Sequence, residues 1–116
     1  MPKQFTNKRD RRPPLEFEIN YEQLIDGEWE DKTEKFRARP SVQGHLLLQM
    51  ATSMDKGIGI QAVELIKLLN EAIWPDDLVE FNTLIDDPDI AISIDTLGEI
   101  LEWLAESYTD RPTQPA

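Results

Sequence analysis

The residues able to do chemistry are few in this chain. The single histidine, His45, stands beside Leu46-Leu47-Leu48. A catalytic base needs a partner whose proton it can take, and a histidine at the edge of an apolar run reads better as a core-edge or surface residue. There is no cysteine, which removes disulfides, thiolate nucleophiles and cysteine zinc sites. Gly57-Ile58-Gly59 lacks the third glycine of a dinucleotide loop and follows a helical pattern instead of a strand. Asp86-Asp87-Pro88-Asp89 has the look of a calcium loop. It lacks the turn glycine and the distal bidentate glutamate such a loop uses, so an acidic turn between helices is expected. No catalytic residue, cofactor site or metal site is therefore expected, and the chain does not read as an enzyme. The remaining candidates for recognition are Trp29, Trp74 and Trp103. Trp103 falls one residue off the apolar stripe of the last helix, at the core edge, and if it projects it would anchor a partner.

The elements that must position these residues follow from periodicity. Leu15 to Tyr21 alternates strictly, with Leu, Phe, Ile and Tyr on one side, as a half-buried strand does. A weaker alternation runs from Lys32 to Arg39, and Asp26-Gly27-Glu28 between the two is a turn signal. Pro40 ends the second strand and Ser41 is suited to cap a helix carrying Leu47, Met50, Ala51 and Met54 on one stripe. The segment Lys56 to Gly59 should separate it from a second helix. That helix has Ala62, Leu65, Ile66, Leu69, Ala72 and Ile73 on one face and Leu68 off it. Pro75 opens a third, with Asp76 and Asp77 at its positive end and Leu78, Phe81, Leu84 and Ile85 as its apolar face. Ile90, Ile92 and Ile94 suggest an extended linker. Asp95-Thr96 should cap the last helix, with Leu97, Ile100, Leu101, Leu104 and Tyr108 inward. The expected fold is mainly α (α+β), about four helices packed against a short N-terminal β-hairpin. Residues 1–14 should form a flexible basic arm, 15–110 the folded domain and 111–116 a flexible tail.

Charge is segregated along the chain. The whole has 116 residues and a formal net charge of −11. Its first fourteen residues carry Lys3, Lys8, Arg9, Arg11 and Arg12 against Asp10 alone. From Leu68 to Asp110 there are twelve carboxylates and neither lysine nor arginine. Such a surface is repelled by nucleic acid and anionic lipid, so neither is an expected partner. No apolar run approaches the ~20 residues a membrane span needs, and the basic start lacks the apolar stretch of a signal peptide. The chain should stay in the compartment where it is made.

Three stretches together resemble the tail assembly chaperones of long-tailed actinobacterial phages and prophages. The first is the N-terminal hairpin entering Phe36-Arg37-Ala38-Arg39-Pro40 and a Leu/Met helix. The second is Trp74-Pro75-Asp76-Asp77-Leu78-Val79-Glu80-Phe81, followed by Leu84-Ile85-Asp86-Asp87-Pro88. The third is Ile94 to Leu104 with its Leu97-Gly98-Glu99, running into Tyr108-Thr109-Asp110-Arg111-Pro112-Thr113. The likeness spans roughly residues 33–115 and rests on the order and spacing of all three. It implies a chaperone that binds the tape measure protein, keeps it soluble and extended, and promotes tail tube polymerisation around it. Such a protein works in the cytoplasm of the bacterial host and is absent from the mature virion. A programmed ribosomal frameshift near the end of such genes often makes a longer product that recruits the tail tube protein, and self-association is within the family's repertoire.

A physical mechanism can be stated beside the resemblance. A client helix would bury its apolar face in a groove between helices. Methionines suit adaptable contacts, so Leu47, Met50, Met54, Leu65, Leu68 and Leu69, with Trp103 as an outer anchor, are the expected partner-binding residues. Leu68, off the main stripe, is expected to face an interface. The acidic stretch would lend solubility to a client that lacks it. The competing reading is an acidic DNA mimic or decoy that inhibits a basic host factor, for which the carboxylate run is the cue.

Overall fold

The computed structural model describes residues 2–55 and 62–110, with residues 53–55 described by backbone alone. The expected separator at Lys56–Gly59 and the expected tail at 111–116 lie outside the described residues, as does the side chain of Met54. The order is β1 (Leu15–Ile25), β2 (Glu28–Ala38), α1 (Gly44–Asp55), α2 (Ala62–Ala72), a single 3-10 turn (Pro75–Asp77), α3 (Leu78–Asp86), β3 (Ile90–Ala91) and α4 (Ile94–Asp110). The fold is mixed α+β, with a three-stranded antiparallel sheet in the order β2-β1-β3.

The sheet is larger than the short hairpin expected. Asp26 and Gly27 both take positive φ, 51° and 82°. A two-residue turn of that hand matches the strand twist and lets pairing begin at once. The ladder therefore runs unbroken from Ile25↔Glu28 to Leu15↔Ala38 and takes Trp29 into β2. Ile90–Ala91 is a third strand, not only a linker: it pairs with Glu22 and Gln23 of β1, and Leu24 N–H donates to Asp89 C=O at 2.8 Å. Two rungs suffice because Asp87 Oδ1 accepts the Asp89 N–H at 2.9 Å and turns the chain back onto the sheet.

The core gathers where the sheet meets the helices. Ile19, Phe36 and Ala38 from the sheet join Met50, Leu65, Leu68, Leu69, Ala72, Ile73, Phe81, Leu84 and the inner face of α4, all buried. Phe36 meets Phe81 edge to face at 5.4 Å, a favoured aromatic geometry. The apolar face of α2 is Leu65, Leu68, Leu69 and Ala72. Those positions are spaced i, i+3, i+4, i+7, so Leu68 belongs to the stripe and Ala62 does not, being exposed. Helix α1 begins at Gly44, beyond Ser41, and its Ala51 is exposed. Helix α4 begins one residue before the expected cap. Its cap is Ser93, whose Oγ accepts the Thr96 N–H at 3.2 Å. Residues 2–14 carry no helix or strand and are mostly exposed.

Candidate functional site

The residues of the three stretches singled out in the sequence converge on one corner. At its centre Arg37, late in β2, grips Asp77 in the 3-10 turn. Arg37 Nε and a terminal guanidinium nitrogen donate to the two carboxylate oxygens at 3.1 and 2.9 Å. Its backbone N–H donates to Asp77 Oδ2 at 2.8 Å. This bidentate arrangement is the strong form of a charged hydrogen bond. The Arg37 hydrogen bonds hold the Asp77 carboxyl below the usual carboxylate range, and Asp77 in turn raises Arg37. The guanidinium also lies 5.8 Å from the centre of the Trp74 ring.

The neighbouring residue closes the end of a helix. The last carbonyls of a helix have no partner within it. Arg39 N–H donates to Ala72 C=O at 2.8 Å, and Arg39 Nε donates to Glu71 C=O at 3.2 Å. Trp74 N–H returns a bond to Arg37 C=O at 2.8 Å, which pairs the end of β2 with the exit from α2. From the far side, Tyr108 Oη donates to Arg39 C=O at 2.9 Å. β2, the α2–α3 corner and the end of α4 are thus tied together through Arg37 and Arg39. The hydrogen bonds of this corner fasten one element to another.

The partner-binding candidates scatter. Met50, Leu65, Leu68 and Leu69 are at most 3% exposed and fill the core. They line no open groove, and the expectation that Leu68 faces an interface is corrected by its place in the α2 stripe. Leu47 is half-buried against that core. Trp103 is 39% exposed, with its ring 5.9 Å from Phe17. The apolar side chains that do reach solvent include Leu48, Val63, Val79 and Trp29. The dent along α3, lined by Leu78, Val79, Asn82, Thr83, Asp86 and Asp87, is shallow and open. His45 is exposed near the start of α1. No group of three His, Asp or Glu side chains able to hold a metal occurs among the described residues, and no helix among them is long and apolar enough to cross a membrane.

No family model, curated protein or solved structure matches the chain. The geometry must therefore carry the functional reading. One titratable group sits against the grain of the fold. Glu34 lies on the sheet face turned to the helices, opposite Ile19. Burial, and then the Glu80 carboxylate on α3, raise its pKa. Burial and Glu34 likewise raise the Tyr21 phenol. The Arg37–Asp77 pairing had no local signal, since forty residues separate the partners. Arg and Asp are common at strand ends and helix starts for separate reasons.

Proposed function

We propose that this chain is a tail assembly chaperone of a long-tailed phage or prophage, binding the tape measure protein and keeping it soluble while the tube polymerises around it. The observation that supports the reading most is the corner. The stretches that carry the resemblance are far apart in sequence, yet Arg37 and Asp77, and Arg39 and Tyr108, meet as hydrogen-bond partners. The three stretches therefore belong to one folded unit, as the resemblance implies. The partners proposed are the tape measure protein and, through a frameshift-extended product, the tail tube protein; the place of action proposed is the host cytoplasm.

The core position of the leucines on α2 redirects the client contact. The proposed anchors are exposed apolar side chains, with Leu48 on α1 and Trp103 on α4 foremost. The acidic face of α4 then stays in water and lends the complex its solubility. Co-expression with the tape measure protein of the same genome, followed by pull-down from the soluble fraction, tests the proposal. Soluble tape measure recovered with the chain, and insoluble without it, is the expected result. Tape measure that stays insoluble, or is soluble but not retained, would overturn it and turn attention to the acidic-decoy reading.

A further inference from the structure

Two parts of the surface complement one another in sign, spacing and length. The first is the segment before the fold. Every residue from 2 to 9 is exposed, and Phe5 is 85% exposed among Lys3, Lys8 and Arg9. Among the described residues none of these three cations has an ion-pair partner. At the base of the segment, Arg12 N–H and Nε donate to Asp10 Oδ1 at 2.9 and 3.0 Å.

The second part is the outward strip of α4. Asp95, Glu99, Glu102, Trp103, Glu106 and Asp110 are exposed and recur at helical spacing, opposite the buried Leu97, Leu101, Leu104 and Tyr108. At 1.5 Å per residue the strip is about 22 Å long. The extended span from Lys3 to Arg9 is about 20 Å. Each part has one exposed aromatic set among charges of a single sign. Within one molecule they do not cover each other, since Phe5 and Trp103 both stand open. The molecule is also drawn out, 70 × 30 × 20 Å, with a radius of gyration of 16.5 Å. A compact chain of this length would have about 13 Å.

We propose that residues 2–9 of one copy lie along the Asp95–Asp110 strip of a second copy, with Phe5 against Trp103 and the three cations against the flanking carboxylates. The contact joins unlike surfaces, so copies add head to tail and either close a ring or extend. It gives a use to Lys3, Lys8 and Arg9, three of the twelve Lys and Arg of a chain whose net charge is −11. Body repels body, and the segment supplies an attractive match. The contact rests on these two surfaces alone. Beside the chaperone reading, it makes copy and client compete for Trp103, and the strip stays in water only in the client-bound state.

Sedimentation equilibrium on the purified chain tests it. The best starting point is ~50 mM salt, where the Debye length of about 14 Å screens the repulsion between bodies but leaves close ion pairs intact. The average mass should rise with protein concentration above the monomer's 13.4 kDa, and return to it at ~1 M salt. Deleting residues 2–9 should give monomer throughout. Glu102→Lys with Glu106→Lys should do the same, at exposed positions where folding is not at stake. So should Lys8→Glu with Arg9→Glu. Mixing the two charge-reversed proteins should restore a mixed assembly. A wild type that is monomeric at every concentration would overturn the proposal, including one whose segment cross-links to its own α4. So would an assembly that survives the deletion, or a mixture that fails to associate.

Discussion

The two ends of the β1–β2 ladder are built from the same alternation but live in different surroundings. At one end Phe17 and Phe36 face each other across the strands, Phe36 packs on Phe81, and Arg37 and Arg39 are bonded into the helical layer. At the other end Leu24 pairs with Trp29, which is 55% exposed, and the support is the Asp26-Gly27 turn and two rungs of β3. The difference teaches that a strand's pattern states only which face could be buried. Whether it is buried depends on which helix arrives, and here the helices arrive at one end only.

The contrast can be broken most sharply by truncating one aromatic at each end. Phe36→Ala should cost about 3–5 kcal/mol, because it opens a cavity in a closed core. Trp29→Ala, near the turn, should cost no more than about 0.5 kcal/mol. Denaturant unfolding of both variants checks this, and equal losses would erase the distinction.

A smaller effect should come from the polar lock. Asp77→Asn should lose about 2 kcal/mol, the scale of hydrogen bonds to a charged group. Its pH dependence gives the sign. Asp77 is held below its unfolded pKa, so its contribution is present above the usual carboxylate range and lost as pH falls through the lower, folded value. The variant's stability curve should lack that acid limb.

The turn comes next. Gly27→Ala places a Cβ at a φ of 82°, a cost of about 1 kcal/mol, although no atom lies in the way. The loss should appear as local fraying at the outer end more than as a fall in the midpoint.

The smallest effect should be a gain. Glu34 is raised by burial and Glu80, so its charged form opposes folding. Its favourable contribution is present below the unfolded pKa and fades as pH rises through the folded one. Glu34→Gln should therefore add a few tenths of a kcal/mol at neutral pH and flatten that part of the curve. Thermal melts at pH 4 and pH 7 check the sign.

Much of this was legible in the sequence, and what was not has physical causes. The presence of two N-terminal strands, of the four helices and of the Pro75 corner follows from periodicity and stop signals, which are local. Strand length was underestimated because exposed residues such as Glu30 and Asp31 break the apolar alternation, while pairing is set by the turn and needs none. Leu68 was placed outside the core because helix phase was read from Ala62, which is exposed. Starting the stripe at Leu65 brings Leu68 inward. Of the partner candidates, Trp103 sits at the core edge, with its ring near Phe17 on one side and Glu99, Glu102 and Glu106 among its helix neighbours. The Arg37–Asp77 and Arg39–Tyr108 contacts could not be read at all. They join elements whose adjacency is decided by packing between distant segments.

Native-state hydrogen exchange on the isolated chain most directly tests the claim that the corner, and not the sheet as a whole, holds the fold together. The amides of Arg39 and Trp74 should exchange only through global unfolding. Those of residues 23–30 should exchange at least about tenfold faster, through local openings about 1.4 kcal/mol or more below the global value. Protection that is uniform along the ladder, or strongest beside the turn, would contradict the account.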